Sequence, residues 1–264
     1  MSGSGEGRGD AFTPAGFPRS AAYDPDWVLE NMMGPNALWL TESLAERMSL
    51  RPGMRVLDMG CGRGLSAIFL AKEYGLQVWA TDLWIDASEN YRRFCESGVQ
   101  DSVFPIHAEA HALPFADGFF DAMVSVDAYH YFGTDDLYLA SHMARLVKPG
   151  GQMGIVVPGL VEELASDEPP EHLSQYWEPA LFSLHSPAWW KRHWGRSGLV
   201  TVEHADLLPD GWRLWMESDR LWSEKLGKPA DEAEMLALDR GRTLVFTRMV
   251  GRRNDRPASR LDEL

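Results

Sequence analysis

Asp58, Gly60, Gly62 and Gly64 stand at alternate positions in Val56-Leu57-Asp58-Met59-Gly60-Cys61-Gly62-Arg63-Gly64, and no other stretch of the chain points so directly to a ligand. Val56 and Leu57 read as the end of a buried strand, and Leu65 to Tyr74 as the helix that follows. Glycine at such a junction lets the chain turn sharply and, lacking a Cβ, lets a ligand lie against bare backbone. A dinucleotide fingerprint would run G-x-G-x-x-G, and a P-loop would continue G-K-[ST]. This loop does neither, because Gly64 comes one position early and no Lys-Ser/Thr pair follows. Taken by itself, it is also compatible with a tight turn that holds nothing.

Other residues extend the chemistry. Asp82 closes the strand Val78-Trp79-Ala80-Thr81, about 20 residues beyond the loop, where an acid can take both hydroxyls of a ribose. A carboxylate suits that task because it has two acceptor oxygens and no donor. A helix N-cap is the competing use. With a nucleoside there, Leu83 and Trp84 form an apolar wall beside the base. His130 follows a further apolar strand with Asp127, Tyr129 and Tyr131 around it, and His is the usual general base near neutral pH. It is equally the kind of residue that packs among aromatics. His185 in Ser183-Leu184-His185-Ser186 is a second base candidate. His107, Glu109 and His111 raise the question of a metal, since alternate residues of a strand share a face. The chain is expected to leave the strand at Glu109, so no metal site is expected.

These groups need a scaffold that brings distant segments together. Strands and helices alternate through Arg55 to Met59, Leu65 to Tyr74, Gln77 to Thr81, Ala87 to Ser97, Val103 to His107, Ala122 to Val126, Asp135 to Val147 and Gln152 to Val157. That alternation predicts a parallel sheet flanked by helices. Pro149-Gly150-Gly151 is expected to break the chain before the fifth strand. Before the sheet, Pro25 to Leu50 reads as two helices divided at Gly34-Pro35. After it come a helix from Pro187 to Ser197, strands at Val200 to Ala205 and Thr243 to Val250, and a mostly helical Trp212 to Asp239. Seven of the eleven tryptophans lie between Trp177 and Trp222. Most are expected to pack a cap onto the sheet, and some could line a pocket for an aromatic or cationic acceptor.

The loop Asp58 to Gly64 resembles the first motif of class I S-adenosylmethionine (SAM) methyltransferases. Three further segments resemble that family in order: Asp82 at its strand end, Ala108-Glu109-Ala110-His111-Ala112-Leu113-Pro114-Phe115, and Leu146-Val147-Lys148-Pro149-Gly150-Gly151. The second is similar to a D-A-x-x-L-P-F segment of small-molecule and quinone-type methyltransferases, with Glu109 in place of the usual Asp. The resemblance implies SAM as cofactor and an α/β fold: a doubly wound, Rossmann-like, seven-stranded sheet, mostly parallel with an antiparallel last strand, plus a helical cap. It implies that backbone at Gly60, Cys61 and Gly62 holds the methionine end and that Asp58 orients its ammonium group. It implies Glu109 and Ala110 at the adenine, and Asp127, Tyr129 and His130 where the methyl group emerges. Tyr23 falls where related enzymes close a helix over SAM.

The expected organisation is a loose segment 1–20, one methyltransferase domain 21–252 with a SAM-binding core 51–158 and cap insertions 159–240, and a flexible tail 253–264. The formal charge of −14 disfavours nucleic acid and anionic membrane as partners, since both select basic faces. Two cysteines make no disulfide framework, no apolar run spans a membrane, and no secretory signal is present, so a cytoplasmic enzyme is expected. The expected function is methyl transfer from SAM to N, O or C of a small molecule, aromatic or amine-bearing. The alternatives are a SAM-binding regulatory or scaffold protein without turnover and a nucleotide-dependent oxidoreductase.

Overall fold

A computed structural model describes residues 16–166 and 168–256. The expectations of a loose start at 1–20 and a flexible tail at 253–264 fall mostly outside them. Of the described part, Ser20 is buried, and its amide and hydroxyl both donate to the buried Glu42 carboxylate at 2.7 and 2.6 Å.

Seven strands form one sheet in the order β3-β2-β1-β4-β5-β7-β6. They are β1 (Arg55–Met59), β2 (Gln77–Asp82), β3 (Val103–His107), β4 (Phe120–Val126), β5 (Val147–Leu160), β6 (Val200–Leu207) and β7 (Leu244–Arg253). The first five pair in parallel, and β7 runs antiparallel to both β5 and β6. Seven α-helices are described: α1 (Pro25–Asn31), α2 (Ala37–Ala45), α3 (Leu65–Tyr74), α4 (Ala87–Glu96), α5 (Pro187–Arg196), α6 (Gly211–Leu226) and α7 (Asp231–Asp239). Among the described residues no helix is long and apolar enough to cross a membrane.

Side-chain alternation along β1 explains the layering. Val56 belongs to a core shared with Leu40, Ile68 and Val78, whereas Leu57 belongs to a second core with Met123, Tyr138 and Met153. Each fully buried aliphatic or aromatic side chain contributes roughly 1.5–3 kcal/mol, against about 1 kcal/mol for a good N-cap. The two-sided burial therefore sets the strand register, and the caps trim the helix ends. Asn36 caps α2 by accepting from the Leu38 amide, and Ser186 caps α5 by accepting from Trp189, with Pro187 in the first turn.

Two segments differ from expectation. Asp135 to Val147 is not a regular α-helix but a π turn at Leu139–Met143 followed by a 3-10 turn at Ala144–Leu146. A wide turn followed by a tight one keeps Tyr138, Met143, Ala144 and Leu146 all buried. Pro149-Gly150-Gly151 does not precede the fifth strand; it lies inside β5. There the register jumps from Phe120↔Val147 to Ala122↔Gln152, so the extra residues are taken up as a bulge.

Because β1 pairs with β2 on one side and β4 on the other, chain order reverses between β1 and β4. In an open α/β sheet the crevice at the carboxyl ends of such strands is the place for a ligand.

Candidate cofactor and acceptor site

A cavity of about 320 Å³ occupies that crevice. Its floor is the β1 loop, Met59 to Arg63, with Leu65 and Ser66 of α3. One side is Thr81 to Trp84 with Ala108 to His111, and the other is Val126 to Ala128 with Tyr131 and Phe132. Asn31, Met33, Gly34, Pro35 and Ala37 close it from the N-terminal side.

The glycine loop is fixed by backbone hydrogen bonds to β2. Gly60 and Cys61 amides donate to the Thr81 carbonyl at 2.9 and 3.0 Å, and the Gly62 amide donates to Asp82 Oδ2 at 2.8 Å. Asn90, buried on α4, donates to the Gly62 carbonyl at 2.9 Å. Gly60 has φ of 70°, and a Cβ built there would stand 2.3 Å from the Ala128 Cβ. Only glycine lets the β1 and β4 loops meet this closely.

Asp82 also accepts from the Trp84 and Ile85 amides through Oδ1, at 2.8 and 3.0 Å. Three of its roughly four acceptor positions are thus used by backbone, and one on Oδ2 is left for a ligand. Asp58 is fully buried and does not line the cavity; Ser66, which does, donates to its Oδ2 at 2.6 Å. Asp58 Oδ1 has no partner. Burial pushes its carboxyl up to about 7, against the Ser66 hydrogen bond and with the help of the Asp82 charge. The bare glycine backbone and this orphaned carboxylate oxygen behind it suit the zwitterionic methionine end of SAM.

Glu109 and Ala110 reach the cavity, but Glu109 folds back on His111: Oε2 accepts from the His111 amide at 2.9 Å and Oε1 lies 2.6 Å from Nδ1. Burial pulls that carboxyl up, and the His111 contacts outweigh it and hold it below the usual range. Leu83 and Trp84 both line the cavity, and the Trp84 and Tyr131 rings meet edge to face with centroids 5.6 Å apart. His107 Nε2 lies 2.8 Å from the Leu83 carbonyl oxygen. Among the described residues no cluster of His, Cys, Asp or Glu is arranged to hold a metal.

Asp127 lines the opposite side. Its backbone is in the left-handed region at φ 56°, held by its amide donating to the Val156 carbonyl at 2.8 Å. Its carboxylate has no hydrogen-bond or ion-pair partner among the described residues. Burial raises its pKa well above its ordinary value, and the charge of Glu232 adds to the rise.

Four other expected site residues lie elsewhere. Tyr129 is fully buried, packed against Trp190 and Trp194, with its hydroxyl unpartnered. His130 is 6% exposed, packs on Tyr131 and is held down to about pKa 4 by burial. His185 stacks on Trp189 with Nδ1 3.0 Å from Glu163. Tyr23 donates to Glu73 and packs against Trp27 and Phe69. Nor does any of the seven tryptophans from Trp177 to Trp222 face the cavity; the tryptophan there is Trp84.

Sequence reasoning missed the wall from Asn31 to Ala37. Arg63 Nη1 ties it to the glycine loop by donating to the Glu30 and Met32 carbonyls at 3.0 and 3.4 Å. The Gly34-Pro35 break between α1 and α2 was the available signal.

Comparisons with known proteins agree with this geometry. The sequence model of a family described as a methyltransferase domain matches residues 56–151. The chain is 30% identical over 202 residues to a sarcosine/dimethylglycine N-methyltransferase of Halorhodospira halochloris, covering 71% of this chain and 69% of the relative. It is 34% identical over 131 residues to the methyltransferase GfsG of Streptomyces halstedii, covering 48% and 47%. The chain spans about half the length or less of several curated relatives it matches. Among solved structures, the [4+2]-cyclase SpnF superposes with a TM-score of 0.68 at 18% identity over 93% of each chain.

Proposed function

Given that the chain belongs to the class I SAM-dependent methyltransferases, we propose that it transfers the SAM methyl group to the nitrogen of a small amine. Fold alone leaves the reaction open, since a structurally similar protein is named as a cyclase. The observation that carries the proposal is Asp127: a partly buried carboxyl group, unpaired among the described residues, held at the cavity wall by a backbone conformation that costs a non-glycine residue about 1 kcal/mol or more.

Gly60, Cys61 and Gly62 present backbone to the methionine end, and Asp58 faces its charge through Ser66. Asp82 offers its remaining acceptor position to the ribose, and Leu83, Trp84 and Ala110 offer apolar surface to the adenine. When bound, SAM supplies an electrophilic methyl group on a sulfonium. With the positive sulfonium nearby favouring its ionised form, Asp127 accepts an N–H from the neutral amine, which leaves the nitrogen lone pair free to point at that methyl. As positive charge passes to nitrogen, the carboxylate stabilises it in a site of low dielectric. The rest of the work is alignment and exclusion of water by Met33, Tyr131 and Phe132. No strong base is needed for a neutral amine, which fits the placement of His130 and His185 away from the cavity. The relative named for sarcosine and dimethylglycine supports the same acceptor atom.

The test is transfer of tritium from methyl-labelled SAM to glycine, sarcosine and phenethylamine, with phenethyl alcohol as the oxygen counterpart. Labelled amine and unlabelled alcohol are expected. Labelling of the alcohol alone would overturn the amine reading, and no labelling despite tight S-adenosylhomocysteine binding would favour a protein that binds without turnover.

A further inference from the structure

His193 lies on α5, outside the cavity and only 5% exposed. Its Nε2 donates to the Gly133 carbonyl at 3.0 Å, across 60 residues of sequence. Gly133 ends the turn that carries Tyr131 and Phe132 into the cavity. That turn is tight: the Gly133 amide donates to the Tyr129 carbonyl at 2.7 Å, and a Cβ on Gly133 would stand 2.1 Å from the Tyr129 ring.

The imidazole is itself held from behind. It stacks on Trp189 at 4.4 Å and 17°, and Trp189 stacks on His185 at 3.6 Å and 4°. His185 Nδ1 is 3.0 Å from Glu163, whose other oxygen accepts from the amide of Ser186, the cap of α5. On the far side His193 Nδ1 is 3.4 Å from Asp136, which also pairs with Arg196 of α5. Three stacked rings thus run from Glu163, just beyond β5, to the carbonyl that ends the 129–133 turn.

We infer that His193 is a positioning residue for the acceptor side of the cavity, fixing Tyr131 and Phe132 through the Gly133 carbonyl. The reason is geometric. Among the described residues no strand residue is seen donating to that carbonyl, and a buried donor held by a ring stack sets where the turn ends. The inference rests on reading the Asp127–Phe132 side as the acceptor side, but its test needs no turnover, so the two can fail separately.

The test is amide hydrogen exchange in the S-adenosylhomocysteine complex of the full chain. His193→Leu keeps the bulk and removes the donor; His193→Gln restores an N–H in the place of Nε2. With Leu, exchange in peptides over 128–136 is expected to quicken about tenfold, with 58–66 unchanged and S-adenosylhomocysteine affinity within about twofold. With Gln, most of the protection is expected to return. Unchanged exchange over 128–136 in the Leu variant would overturn the assignment. So would acceleration that extends equally to β5 and β7, or a Gln variant no better than Leu, either of which would make His193 a general packing residue.

Discussion

Gly60 and Ala128 meet on the cavity floor with no room for another carbon: a Cβ on Gly60 would lie 2.3 Å from the Ala128 Cβ. This contact joins the loop after β1 to the loop after β4, the two strands between which chain order reverses. Gly60→Ala must push these loops apart and hold an alanine at φ 70°. It should destabilise the protein by about 2 kcal/mol and weaken S-adenosylhomocysteine binding at least tenfold. Thermal unfolding and calorimetric titration would check both. Wild-type affinity would place the cofactor elsewhere.

Asp127 separates stability from function. Asp127→Gly relieves the left-handed backbone and should raise stability by about 1 kcal/mol, while transfer to amines falls at least tenfold. Asp127→Asn keeps shape and loses charge, so transfer should fall while S-adenosylhomocysteine affinity stays within a few-fold. Denaturant titration beside the tritium assay reads the two effects. Full transfer by the Asn variant would remove the carboxylate from the mechanism.

Asp82→Ala removes a ribose acceptor and three backbone hydrogen bonds. Each bond to a charged group contributes about 1.5–3 kcal/mol, so binding of S-adenosylhomocysteine should fall by two orders of magnitude or more. Asp82→Asn can keep the Oδ1 contacts to Trp84 and Ile85 while losing the Gly62 contact, and should fall between the two. Equal affinities for all three proteins would count against Asp82 at the ribose.

Much of the cofactor side is legible in the sequence because it is local. Asp58, Gly60, Gly62 and Asp82 sit at strand ends, and strands with two buried faces show plainly as apolar runs. The acceptor side depends on contacts between distant segments. Tyr129 and His130 follow Asp127 by two and three residues, yet a 3-10 turn directs them into the core while Tyr131 and Phe132 reach the cavity. No periodicity announces a turn of three residues. The tryptophans show the same limit: Trp190 and Trp194, four apart on α5, share a face that is fully buried, so their spacing reported the packing expected of most of them and said nothing of the pocket.

Two buried groups make opposing contributions to the pH dependence of the cofactor-free protein. His130 falls from 6.5 to about 4 on folding because burial disfavours its charged form. Between those values the unfolded chain holds the extra proton, so stability rises with pH, by up to about 1.4 kcal/mol per pH unit. Asp58 rises from 3.8 to about 7, so over the same window the folded protein holds the extra proton and stability falls with pH. The two slopes offset each other. Relative to the parent, Asp58→Asn should therefore lose stability more steeply on acidification from pH 6.5 to 4, and His130→Phe less steeply. Denaturant midpoints at pH 4.5, 5.5 and 6.5 would check this, and parallel profiles for all three proteins would refute it.

The wall from Asn31 to Ala37 is attached to the site through the N-terminal helices and the side chain of Arg63, and takes no place in the sheet. It also lies outside the stretch 56–151 that matches the family. Substitutions at Met33 or Pro35 can thus reshape what the cavity admits without disturbing a strand, a register or the glycine loop. The adjustable part of the cavity wall and the loop fitted to the cofactor belong to different stretches of polypeptide.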